Sequence, residues 1–239
     1  MIAEHTQTAT EAPIVLQCVD LCKCYNGVVQ ASDHINFTLR RGEVHAFLGE
    51  NGAGKSTLMK MLYGIEQPDE GQLFLSGEPV ALKSPADAIA HGIGMVHQEL
   101  MLIPHLTVAE NIALSEQLSK GKKRITRRET RAIAEKALAQ INVELPLDVT
   151  LEHLSVADKQ IVAITRSLLD NVKLIIMDEP FVGLDPTAAY QVKGIMREHC
   201  DRGGAIFFST HVLEVAEKLC DRVAIIRQGR LVRAGTMAQ

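Results

Sequence analysis

The chain has 239 residues, 46% hydrophobic and 23% charged, with a formal net charge of −4. That composition supplies a sizeable core for one large domain, or a core with a subdomain, and its charge gives no global attraction to nucleic acid. No apolar run reaches the roughly 18 residues of a membrane span, and the opening Met1-Ile2-Ala3-Glu4-His5-Thr6 lacks the basic and apolar regions of a secretion signal.

Residues 1–12 are polar and read as a frayed tail. From Ile14 to about Val80 the pattern is mostly β. Cys18, Cys22 and Cys24 cluster there without a second pair at zinc spacing, so they read as small packed residues of a sheet. Five cysteines, an odd number without an export signal, favour reduced thiols in a cytosol. Asn26-Gly27 and Ser76-Gly77 are turn signals. Ile35, Phe37 and Leu39 alternate with polar neighbours as in a half-buried strand, and Leu73 and Leu75 continue that alternation.

Val44-His45-Ala46-Phe47-Leu48 is a short apolar run of buried-strand type, and Thr57 to Leu62 opens a helix. Between them Gly49-Glu50-Asn51-Gly52-Ala53-Gly54-Lys55-Ser56 has the P-loop form G-x-x-x-x-G-K-S/T. A glycine-rich turn entering a helix aims backbone N–H groups and the positive end of the helix dipole at one spot, which suits phosphate. Lys55 then reaches the β/γ-phosphates and the Ser56 hydroxyl holds Mg²⁺. The expected ligand is a nucleoside triphosphate.

The middle is helical. Ser84-Pro85 starts a short helix to Ala90. Thr107-Val108-Ala109-Glu110 and Thr126-Arg127-Arg128-Glu129 are capping boxes. The second opens a helix to about Ile141 with apolar residues at helical spacing. Lys120 to Arg131 holds seven basic residues against one acid and reads as a solvated surface. A third helix follows Ser155 toward Leu169. Strand and helix then alternate: Leu174–Met177, a helix from Asp185-Pro186, Ala205–Phe208, a helix over Val212–Cys220, and Val223–Ile226 ending at the Gln228-Gly229 turn. This order predicts an α/β core with a largely parallel sheet. Asp178 and Glu179 follow the Leu174–Met177 strand, where ligands sit in open α/β sheets. Asp178 is placed to hold Mg²⁺. Glu179, facing another way, is placed to polarise an attacking water.

The motif order resembles the nucleotide-binding subunit of ABC transporters, from about Ile14 to the C-terminus. The resemblance implies that Tyr25 stacks on adenine and that Gly49 to Thr57 is the Walker A loop. Gln98 is then the Q-loop glutamine touching Mg²⁺ or water, and Leu154-Ser155-Val156-Ala157-Asp158-Lys159-Gln160 occupies the signature position. Asp178 and Glu179 match Walker B and its catalytic glutamate, Gly183-Leu184-Asp185 the D-loop, and His211 the switch histidine at the γ-phosphate. The implied fold is an ABC-type P-loop NTPase. Its core and antiparallel β subdomain take residues 13–97 and 171–239, and an inserted helical subdomain takes 98–170. The implied activity is ATP hydrolysis with Mg²⁺ that powers transport, and the implied place is the inner face of the cell membrane.

The signature departs from the common form, because Val156 and Ala157 replace two glycines and Asp158 a glutamine. An added Cβ where the main chain nears a second subunit's phosphate predicts weaker closure. Segments before Phe181, such as Gly92 to Gln98 and Leu106 to Asn111, resemble sugar or nucleoside importers. Phe181 to Pro186 and His211 to Glu217 are more like multidrug and ABC-2 export subunits, as a recombined chain or a truncated importer half would give. The expected partners are a second nucleotide-binding domain, membrane permease subunits and a solute-binding protein, with no nucleic acid. An ABC ATPase of nucleic-acid repair or of the ribosome would carry zinc modules, coiled coils or basic arms, and none is present. An inactive, nucleotide-binding regulatory module is the other alternative; Glu179 and His211 argue against it, while Ala157 leaves it open. The solute and the direction of transport are not written in these residues.

Overall fold

The computed structural model describes residues 12–119, 125–169 and 172–236. The expected tail over 1–11 and the Lys120–Arg124 part of the basic run lie outside them.

Ten strands form two sheets. The first is antiparallel, in the order β2-β1-β4-β5, from β1 (Ile14–Tyr25), β2 (Val29–Arg40), β4 (Glu70–Leu75) and β5 (Glu78–Val80). Its hairpins turn where expected: Asn26 and Gly27 have φ of 53° and 68°, Ser76 and Gly77 of 51° and 87°, the left-handed pair that tight hairpin turns favour. The second sheet runs β10-β9-β3-β8-β7-β6, with β3 (Val44–Leu48), β6 (Ile93–Val96), β7 (Leu174–Met177), β8 (Ala205–Thr210), β9 (Arg222–Arg227) and β10 (Arg230–Thr236). β9, β3, β8, β7 and β6 are mutually parallel; β10 closes one edge antiparallel to β9.

The parallel strands are apolar throughout because both faces are covered. Alternate residues divide between two cores. Val44, Ala46, Ile175, Met177, Ile206 and Phe208 face the helical side, against α3 (Val108–Ser119), α4 (Arg127–Gln140), α5 (Val156–Ser167), α6 (Pro186–Asp201) and α7 (Leu213–Leu219). Phe47, Leu174, Ile176, Ala205 and Phe207 face α1 (Lys55–Leu62), α2 (Pro85–Ala90) and the antiparallel sheet. There Phe37 stacks on Phe207 at 5.1 Å between centroids and 14° between planes, locking one sheet onto the other. Such a pair contributes about 0.5–1.5 kcal/mol beyond its buried area. Cys18 and Cys22 are buried in β1.

Caps set the helix starts. Ser84 accepts the Asp87 N–H, and Thr126 and Glu129 make a reciprocal capping box. Thr107 and Glu110 do the same ahead of α3. Arg127 and Arg131 reach Asp148 at 3.1 and 2.7 Å on the surface, so the described part of the basic run is solvated and paired. No helix among the described residues is long and apolar enough to cross a membrane.

Candidate functional site

The carboxyl ends of the parallel strands collect the predicted residues. β3 delivers the chain into the Gly49–Gly54 turn, whose two end glycines are packed too closely for a side chain. An ideal Cβ on Gly49 would stand 2.7 Å from the Ile226 backbone oxygen, and one on Gly54 2.1 Å from the Ala31 oxygen. Gly54, at φ 105°, is the N-cap of α1, which has no side-chain cap and no acid in its first turn. The helix therefore presents uncapped N–H groups and its positive dipole end to the turn. Lys55 is buried, and its Nζ donates to the Gly49 and Glu50 carbonyls at 2.7 and 3.1 Å.

β7 delivers the acids. Asp178 and Glu179 are each about 9% exposed and are tied by Ser209 from β8. The Ser209 hydroxyl donates to Asp178 Oδ1 at 2.6 Å and accepts the Glu179 N–H at 2.9 Å. The Glu179 carboxylate lies between two cations or potential cations. Oε1 is 3.5 Å from Lys55 Nζ and Oε2 is 3.0 Å from His211 Nδ1. Glu179 also has φ of 49°, an unfavourable setting for a residue with a Cβ, and such strain concentrates at functional positions. Ser209 was not singled out from the sequence, although its position two residues before His211 at the end of a buried strand was the available signal.

A cleft of about 400 Å³ opens in front of these groups, and Tyr25, Gln98, Lys55, Ser56, Glu179 and His211 line it, with Asn51, Gly52, Gly54 and Thr57 of the turn. Gly49, Glu50 and Ala53 line an adjoining cavity of about 620 Å³ on the other side of the turn. Asp178 lies beneath. His97, next to Gln98, packs edge-on against Tyr63 at 6.1 Å, and burial lowers its pKa, opposed by the charge of Asp178.

Five predicted residues stand elsewhere. Ser155 caps α5, accepting the Asp158 N–H at 3.1 Å while its hydroxyl donates to Asp158 Oδ2 at 2.7 Å. Val156 at this tip is 57% exposed, and none of Ser155, Val156, Ala157 and Asp158 lines the cleft. Asp185 is likewise outside it and caps α6 by accepting the Ala188 N–H at 2.9 Å.

The donor set fits a hard divalent cation. Ser56 and Gln98 offer oxygen at the cleft, and Asp178 keeps Oδ2 outside any hydrogen bond among the described residues.

A parallel sheet with a phosphate-binding turn on one strand, two acids on the next but one and a histidine between defines a P-loop nucleotide-binding fold. The profile of the ABC transporter family matches residues 32–182, and the chain belongs to that family. The ribose import ATP-binding protein RbsA of Hahella chejuensis is 39% identical over 204 residues, 85% of this chain and 41% of that protein. RbsA of Burkholderia mallei is 40% identical over 225 residues, 94% and 44% of the two chains. A putative ribose/galactose/methyl galactoside import ATP-binding protein of Rhizobium etli is 38% identical over 221 residues, 92% and 43%. The chain thus spans less than half the length of these relatives. A match covering 94% of the chain runs through both sides of Phe181, so the importer-like and exporter-like stretches have counterparts in one protein. Among solved structures, an ATP-binding cassette of an ABC transporter in its ADP conformation superposes with a TM-score of 0.84 at 26% identity, covering 93% of this chain and 91% of that one. An ATP-binding subunit of an ABC transporter does so at 0.76 and 31%, covering 93% and 90%.

Proposed function

We propose that the chain binds and hydrolyses ATP to drive import of a sugar of the ribose class. The single observation that carries this reading is the meeting of Lys55, Glu179 and His211 on one cleft, with the Glu179 oxygens 3.5 Å from Lys55 Nζ and 3.0 Å from His211 Nδ1. The relatives named for ribose import point to the substrate class.

Lys55 and the N–H groups of Gly52 to Ser56 hold the β- and γ-phosphates, and Tyr25 packs on the base. Ser56, Gln98 and Asp178 would hold Mg²⁺, which would supply charge neutralisation to the phosphates when bound. Glu179 accepts a proton from, or orients, the attacking water, and His211 positions that carboxylate and reaches the γ-phosphate. Ser209 keeps both acids in register, so Glu179 holds its rotamer when Lys55 turns to phosphate.

Ser155 to Asp158 and Asp185 serve a second cassette, since they stand outside this chain's own cleft. Two cassettes pair head to tail around ATP, each offering its α5 tip to the other's phosphate. The helical segment 98–170 acts as a subdomain that passes closure from Gln98 to permease subunits, which place the chain on the cytoplasmic face of the membrane. A solute-binding protein delivers the sugar on the far side.

Glu179→Gln is the test. ATP binding should persist while turnover falls by about 10²- to 10⁴-fold. Unchanged turnover removes Glu179 from the reaction. Ribose uptake into vesicles carrying the permease, dependent on this chain, tests the substrate class.

A further inference from the structure

Between β1 and β2 the register slips at Cys18/Leu21 and again at Leu21/Lys23, and Asp20 and His34 take φ of 49° and 50° at these irregularities. Bulges re-aim side chains that regular pleating would send to opposite faces. Here they bring Cys22 Sγ, a carboxylate oxygen of Asp33 and a ring nitrogen of His34 within 4.8 Å of one another. We propose that these three residues form a binding site for a thiophilic divalent cation of the Zn²⁺ class, separate from the nucleotide cleft.

The donor chemistry selects the ion. A thiolate, an imidazole and a carboxylate form a mixed sulfur, nitrogen and oxygen set that suits Zn²⁺ and leaves a fourth tetrahedral position to water; Mg²⁺ prefers the all-oxygen set at the cleft. None of the three residues lines that cleft.

The surroundings orient each ligand. His34 Nε2 is 3.9 Å from Asp33 Oδ1, while Nδ1 is 3.8 Å from Asp20 Oδ1. Asp20 is in turn held by the Asn36 amide at 2.8 Å. A histidine with one nitrogen toward the metal position and a carboxylate near the other is the outer-shell arrangement that orients a ligating ring. Arg230 Nε holds Asp33 Oδ2 at 2.5 Å, leaving Oδ1 for the ion. The His34 backbone N–H donates to Cys22 Sγ at 3.3 Å, which fixes the sulfur beside the ring. With Cys22 deprotonated, Asp20 and Asp33 add two more negative charges and Arg230 removes one, so the charge that remains matches a divalent cation. Cys22 and Asp33 are largely buried and His34 is exposed, so the ion enters from the solvent side.

Titrating the nucleotide-free full chain with Co²⁺ tests the site. One equivalent should bind with a thiolate-to-cobalt charge-transfer band that Zn²⁺ bleaches. Cys22→Ser should abolish the band, and Cys18→Ser and Cys24→Ser should leave it. His34→Asn, at an exposed position that leaves the fold intact, should weaken Co²⁺ affinity at least tenfold, and Asp20→Asn by about tenfold. Absence of the band in the natural chain, its survival in Cys22→Ser, or unaltered affinity in His34→Asn would each overturn the proposal.

Discussion

The two edges of the six-stranded sheet use the same residue types in opposite ways. At the carboxyl edge, Glu179 spends its oxygens on Lys55 and His211, side chains that themselves line a cleft. At the amino edge, acids are taken up by the chain itself. Asp221 Oδ2 accepts the Val44 N–H at 2.8 Å, and Glu43 Oε2 accepts the Arg40 N–H at 2.9 Å while Oε1 faces His45 Nδ1 at 2.9 Å. Cys200 Sγ sits 3.5 Å from the Glu43 carbonyl, and burial pushes its thiol up to about 12. His199 is 6% exposed, with Nε2 lacking any hydrogen-bond partner, and burial lowers its pKa to about 4, helped by the charge of Arg202. One edge turns its groups toward a cleft; the other consumes or neutralises them. The sheet is common to both, so the turns that follow and precede the strands decide where chemistry can occur.

The largest effect expected from breaking this contrast is at Lys55. Replacing it by alanine leaves the phosphate cradle without its buried cation. A unit charge at about 4 Å is worth roughly 4 kcal/mol at an effective dielectric near 20, which corresponds to about a thousandfold in affinity. Equilibrium binding of a fluorescent ATP analogue should therefore show nucleotide binding lost for Lys55→Ala over the range where the natural chain saturates. Retained tight binding would show that the turn alone holds the phosphates.

A second, somewhat smaller effect tests the silent edge by pH. His199 carries a folded-state pKa of about 4 against an ordinary value of 6.5, so between these values the unfolded chain binds a proton that the folded chain refuses. Its neutral burial is fully compatible with the fold above pH about 6.5, and stability is lost as pH falls toward 4, by about 3 kcal/mol in all. Urea midpoints measured across that window should fall for the natural chain and fall less for His199→Gln. The ring packs against the Gly204 backbone, where an ideal Cβ would lie 2.1 Å from His199 Nε2. Parallel slopes in the two proteins would assign the pH dependence to other groups.

Much of this contrast was written locally in the chain, and part was not. The phosphate turn, the two acids and the capping boxes at Thr107 and Thr126 are short motifs whose physics acts within a few residues, and they appear where the sequence placed them. The turns at Asn26-Gly27 and Ser76-Gly77 were legible for the same reason. β10 was not, because Arg230–Thr236 offers no clean alternation; it is held by antiparallel pairing to β9, with most of its residues exposed. The meeting of Lys55 with Glu179 joins residues 124 apart, and no local period announces it. The left-handed backbone of Glu179 also runs against its residue type, so strain at the site could only be found in three dimensions.

Ser209 is the sharpest probe of how the carboxyl edge stays ordered, and its expected effect is the smallest. Its hydroxyl is the only link between the Asp178 carboxylate and the Glu179 backbone among the described residues. Ser209→Ala removes one hydrogen bond from each and leaves a Glu179 N–H without its partner, costing about 1–3 kcal/mol of stability. That cost should appear as a lowered urea midpoint with unchanged slope. Turnover should fall by about tenfold, because Glu179 must now hold its strained φ without the bond that fixes it. ATP affinity should hardly move, since Lys55 and the turn are untouched. A loss of affinity equal to the loss of turnover would mean that Ser209 supports the phosphate cradle, and the division of labour between cradle and acids would have to be redrawn. Ser209→Thr, which restores the hydroxyl, should recover both acids' hydrogen bonds and most of the turnover; recovery of stability without turnover would separate the packing of that strand end from the orientation of Glu179.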